Sequence, residues 1–145
     1  MDGEYGKQGI YAAVSGSIYC IFGLAQIVAW FGIDALDIAF MDSNALGGLV
    51  LILIGIVFLY GARDIRSSAS EGRAYIFVAT LLGLLFMGVF ILVLAANGLD
   101  AAFAGEAYDI GADIIPLVYL GLLPLFGYIG WHKEFSISNF SRAGV

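Results

Sequence analysis

Four acidic side chains, Asp100, Glu106, Asp109 and Asp113, lie close together in a stretch that contains no cation. Carboxylates are hard oxygen ligands, so such a cluster would gather a cation such as calcium or concentrate cations at the mouth of a pathway. Their spacing matches no calcium-binding loop, and no metal site is assigned to them. Other chemistry-bearing residues are scarce: His132 is the only histidine and Cys20 the only cysteine. One histidine cannot supply paired axial ligands to a haem within a chain. Neither residue has the neighbours of a zinc site or of a nucleophile and base. No catalytic, metal or cofactor role is therefore expected, and the protein reads as non-enzymatic. A single cysteine forms no intrachain disulfide, and the net charge of −6 speaks against nucleic acid as a partner.

The elements that would position these residues are marked by where charge is missing. Residues 10–31, 45–62, 74–96 and 114–131 contain no Asp, Glu, Lys or Arg. Each run approaches the ~20 residues that a helix needs to cross about 30 Å of hydrocarbon. A chain 61% hydrophobic and 12% charged, with mean hydropathy +0.96, suits a bilayer and not an aqueous surface. The expected fold is an all-α integral membrane protein: one domain over 1–145, an antiparallel bundle of four transmembrane helices with short loops. The first run exceeds the ~7–15 apolar residues of a signal peptide, and Asp2 and Glu4 precede it, so retention is expected.

Charge then orients the bundle. Lys7, Arg63, Arg66, Arg73, Lys133 and Arg142 all fall in residues 1–9, 63–73 and 132–145, whereas 32–44 and 97–113 hold no cation. The positive-inside rule places both termini and the middle connector in the cytoplasm, and the cell membrane is the expected location.

Small residues recur at helical spacing. Ala12, Gly16, Cys20 and Gly23 share a face of the first run, and Gly48, Gly55 and Ala62 stand a heptad apart in the second. Ala79 and Gly83 mark the third run, and Gly121 and Gly127 the fourth. Lipid tails remove the hydrophobic drive for helix association, so close backbone approach at small residues takes its place. The stripes are expected to pack the bundle itself; facing another subunit is the alternative. An offset of 66 residues also aligns Gly32-Ile33-Asp34-Ala35 with Gly98-Leu99-Asp100-Ala101, and Gly55, Leu59 and Gly61 with Gly121, Leu125 and Gly127. This pattern suggests two tandem hairpins related about the membrane normal.

Polar and breaking residues inside the runs are few. Ser15, Ser17, Gln26, Thr80, Tyr19 and Tyr119 need hydrogen-bond partners in hydrocarbon. Gln26 is expected to reach Tyr119 or a carbonyl freed by a proline. Pro116 lies near the entry of the fourth run, where proline is tolerated, whereas Pro124 is internal and should kink it. Tyr11, Trp30, Phe31, Tyr60, Tyr75, Tyr128 and Trp131 mark interfacial belts. In the outer loops, residues 33–42 and 99–110 are patterned as short helices lying on the interface. Ion-coupled carriers usually keep an intramembrane carboxylate, histidine or cation, and the four runs have none. The leading expectation is a small accessory or assembly subunit whose partners are lipid, other membrane subunits or itself. A small transporter or channel-forming homo-oligomer with an acidic outer vestibule is the alternative.

Overall fold

The computed structural model describes residues 2–32, 45–67, 69–105, 107 and 116–131. Among these residues every regular element is helical: α1 (Asp2–Trp30), α2 (Ala45–Asp64), α3 (Ala69–Ala104), α4 (Pro116–Leu120) and α5 (Leu122–Trp131). Three helices, α1 to α3, are long and apolar enough to cross a membrane, and α4 with α5 forms a shorter fourth element. The fold is an all-helical membrane bundle.

Contacts between chosen residues give an antiparallel, up-and-down order. Gly16 meets Gly55 and Gly23 meets Gly48, which runs α2 against α1. Gly61 lies on Ile76 and Gly72 on Ile65, closing α2 and α3 around the turn Ile65–Ser67. Gly83 receives Pro124, and Gly121 receives Met87, which runs α5 back along α3. Finally Tyr11 and Tyr19 of α1 reach Leu123 and Leu120, so the fourth element closes the ring against α1. Tyr19, Leu51, Ile54, Phe58, Ile76 and Ala79 fill the centre and are essentially inaccessible.

Two boundaries differ from those expected. The third crossing was bounded at 74–96, but α3 runs for 36 residues to Ala104. At about 1.5 Å per residue it is ~54 Å long, well beyond the ~30 Å of hydrocarbon. Residues 99–104, expected as the start of a separate interfacial helix, are its last turns. The alignment of Gly32 with Gly98 shows why pattern alone misplaced this end. Gly32 stops α1 with φ +77°, its N–H donating to the Ala29 carbonyl at 2.9 Å, whereas Gly98 lies within a helix that ends only at Gly105, φ +72°. A positive-φ glycine beyond the last turn is a common helix stop. Position 98 simply remains helical. The interfacial helix expected at 33–42 lies outside the described residues.

Packing along α3 is uneven. Gly72, Ile76, Ala79, Thr80 and Gly83 are buried, and none of the residues that follow, from Leu84 to Gly105, is.

The fourth element is broken. α4 begins at Pro116, as expected of a proline at a helix start. The interruption falls at Gly121, not at Pro124 itself. Proline lacks the N–H that would bond four residues back, so the lost bond is the one to the Leu120 carbonyl. Bonding resumes one residue later, with the Leu125 N–H donating to the Gly121 carbonyl at 3.3 Å.

Candidate functional site

The most developed polar arrangement lies where α1 meets this break. Tyr19 is buried, and its hydroxyl donates to the Leu120 carbonyl at 2.9 Å. That is the carbonyl Pro124 leaves without its helical donor, so α1 repairs a break in the facing helix. Such repair from a neighbour is what lets membrane helices carry internal prolines. Gly83 of α3 makes room for the proline ring: a Cβ there would stand 2.6 Å from Pro124 Cγ and 3.3 Å from the Tyr19 hydroxyl. Three elements thus converge on a single missing hydrogen bond.

A second hydroxyl follows two turns away. Tyr11 donates to the Leu123 carbonyl at 2.7 Å, and its ring packs against Trp131 at 5.1 Å and edge-on to Phe58 at 5.9 Å. Gly127 is required beneath it, because a Cβ there would fall on the Tyr11 hydroxyl. Toward the other end, Phe22 meets Tyr119 edge to face at 6.0 Å. The face of α1 toward the fourth element is therefore built from rings and hydroxyls.

The adjacent face is built from glycine. A Cβ on Gly23 would lie 2.6 Å from the Gly48 carbonyl oxygen, and one on Gly48 2.7 Å from that of Gly23. One heptad along, Gly16 and Gly55 stand in the same relation, at 2.9 and 2.8 Å, with Cys20 Sγ filling the space beside Gly55. Another heptad brings Gly9 to Ala62 and Ile65. The seven glycines named for helix packing, Gly16, Gly23, Gly48, Gly55, Gly83, Gly121 and Gly127, lie at contacts between helices of the same chain.

Of the polar residues, Gln26 is buried on the glycine side of α1, its Cβ against Gly48, and Gln8 is equally buried. Thr80 returns its hydroxyl to the Ile76 carbonyl of its own helix at 2.7 Å, and Ser17 to Ala13 at 2.8 Å. The freed carbonyl of the fourth element is served by Tyr19; the expected contact of Gln26 was with Tyr119 or such a carbonyl. Tyr119 is half-buried and packs on Phe22.

Of the acidic cluster, Asp100 is exposed on the last turns of α3. Glu106, Asp109 and Asp113 lie outside the described residues, as does His132. No group of three His, Cys, Asp or Glu side chains that could hold a metal occurs among the described residues.

Three participants were missed in the sequence. Gly9 extends the heptad of Gly16 and Gly23 and was legible from that spacing. Gln8 falls two residues before the first charge-free run was started. Tyr11 was read as an interfacial marker, and only the fold places Leu123 within its reach.

No curated protein matches the chain, and neither does any solved structure. A bundle of long apolar helices, tied together through interior glycines and hydroxyls, agrees with the family model that matches the chain. The chain belongs to the MJ0565 integral membrane domain family, whose model matches residues 5–133.

Proposed function

We propose that the protein is a non-enzymatic accessory or assembly subunit of a larger membrane complex, held in the cell membrane with both termini in the cytoplasm. The observation that carries this reading is how the interior is used. Tyr19, Phe58, Leu51, Ile54 and Ile76 occupy the bundle centre, and the hydroxyls of Tyr11, Tyr19 and Thr80 are spent on backbone carbonyls of the bundle. Such an interior fixes four helices in one arrangement and presents their outer faces to neighbours. The far half of α3 supports the same reading. Leu92, Leu99 and Phe103 are 70%, 61% and 89% exposed on a helix longer than the hydrocarbon requires. The orientation rests on Lys7, Arg63, Arg66, Arg73, Lys133 and Arg142 flanking one side.

The broken fourth element favours a second reading, a small transporter or channel-forming homo-oligomer, because discontinuous helices build substrate sites in transporters. Asp100, Glu106, Asp109 and Asp113 would then line an acidic outer vestibule.

Purification in mild detergent separates the two. The subunit reading expects different polypeptides to travel with the chain, and a stable homo-oligomer alone would overturn it. The transport reading expects cation or metabolite flux in reconstituted liposomes, reduced by Asp113→Asn.

A further inference from the structure

At the end of the bundle where α1 starts and α2 finishes, a groove of about 600 Å³ opens between the two helices. Gly6, Gly9, Ala13 and Ala62 form its shallow parts, Ile10 and Ile65 its apolar walls, and Arg63 and Arg66 its mouth. It exists because four of these residues, two glycines and two alanines, are too small to fill the space. A Cβ built on Gly6 meets nothing within 4 Å, and Ile10 beside it is 68% exposed. A smaller groove of about 250 Å³ runs along α2 beside Ile56, Leu59 and Tyr60, and it too ends at Arg63. Tyr60 carries Tyr75 of α3 next to it, ring centres 6.4 Å apart. One guanidinium therefore overlooks two apolar grooves.

We propose that this end of the bundle binds one anionic diacyl phospholipid, its phosphate on Arg63 and Arg66 and one acyl chain along each groove. The dimensions agree. Each groove follows its helix for about 10 Å, the first from Gly6 to Ala13 of α1 and the second from Arg63 back to Ile56 of α2, which fits within the ~15 Å depth of a single leaflet. The chemistry agrees as well. Arg63, in the last turn of α2, and Arg66, in the turn that follows, are both exposed and line the same groove, where two guanidinium forks meet one phosphate with several parallel hydrogen bonds. Tyr60 supplies a ring and hydroxyl at the level where headgroup gives way to tail. A soluble anion would satisfy the arginines and leave both grooves empty. A zwitterionic lipid would fill the grooves but bring its own cation to the arginines. The anionic lipid matches both features, and the site is independent of which accessory or transport role the bundle performs.

The test uses the full chain in nanodiscs holding equal amounts of phosphatidylglycerol and phosphatidylcholine with identical acyl chains, and native mass spectrometry of the lipid retained on release. Retention of phosphatidylglycerol over phosphatidylcholine by about thirtyfold is expected, the scale set by two arginines at an anionic surface. Arg63→Gln with Arg66→Gln should bring that preference to within about twofold. Gly6→Leu fills open space within a helix, so it should leave the melting temperature unchanged or raise it slightly while lowering retention of both lipids. Millimolar glycerol phosphate should not displace the lipid; displacement would mean that the arginines bind a free phosphate and the grooves contribute nothing. Equal retention of the two lipids by the unaltered chain, a preference that survives the double arginine change, or retention untouched by Gly6→Leu would each overturn the proposal.

Discussion

Helix α1 joins its two neighbours by opposite means. Toward α2 it presents Gly9, Gly16 and Gly23, and the backbones come so close that a methyl group at Gly23 would sit 2.6 Å from a carbonyl oxygen. Toward the fourth element it presents Tyr11, Tyr19 and Phe22, which hold the backbones apart and bridge the gap with rings and two hydroxyl hydrogen bonds. The first seam is made by absence of side chains and draws on dispersion between backbones. The second is made by the largest side chains available and draws on polar groups that hydrocarbon cannot satisfy. A straight, fully bonded helix such as α2 can lie against the first kind of surface. A helix interrupted by proline needs the second, because its freed carbonyl must find a donor.

The two seams should therefore fail differently. The largest effect is expected at the glycine seam. Gly23→Val places its Cβ against backbone that cannot rotate away, so the loss should exceed the ~1–3 kcal/mol typical of overpacking, as thermal unfolding in detergent would register. Full stability in that variant would break the contrast. Next comes a pair on α3. Gly83→Ala meets Pro124 Cγ at 2.6 Å and should cost about 1–3 kcal/mol, while Gly88→Ala meets nothing within 4 Å and should be neutral or gain up to ~1 kcal/mol from helix propensity. Equal costs at the two sites, measured the same way, would mean that Gly83 does not seat the proline. The smallest effect belongs to Tyr11→Phe. Leu123 lies inside α5, where the helix ladder offers its carbonyl a second donor, so the loss should stay near ~0.5 kcal/mol.

These residues also show how far a sequence of this kind can be read. The bundle, its all-helical character and the glycine faces follow from where charge is absent and from heptad spacing, because lipid imposes both rules locally. Gly16, Gly23, Gly48 and Gly55 could be named in advance, although the spacing does not say whether a glycine face meets a sister helix or another chain. The ring seam was not legible. Tyr19 and Leu120 are far apart in the chain, and nothing local in either links a hydroxyl to a missing N–H. Pro124 announces that a carbonyl will be freed, but the choice of donor between Gln26 and Tyr19 depends on the rotation of α1, which the packing against α2 sets. The length of α3 was misjudged for a related reason: the stop lies in the backbone angle at Gly105, while Gly98 carries the same residue type without the turn.

Tyr19 stands in for the hydrogen bond that Pro124 removes. A double-mutant cycle on Tyr19→Phe and Pro124→Ala, read by reversible unfolding in detergent, isolates it, since the space left at Gly83 cancels between the arms. With Pro124 present, losing the hydroxyl should cost about 1 kcal/mol. With alanine at 124 the helix supplies its own donor to Leu120, and the cost should fall to a few tenths, a coupling near ~1 kcal/mol. The same cost in both backgrounds would contradict the account.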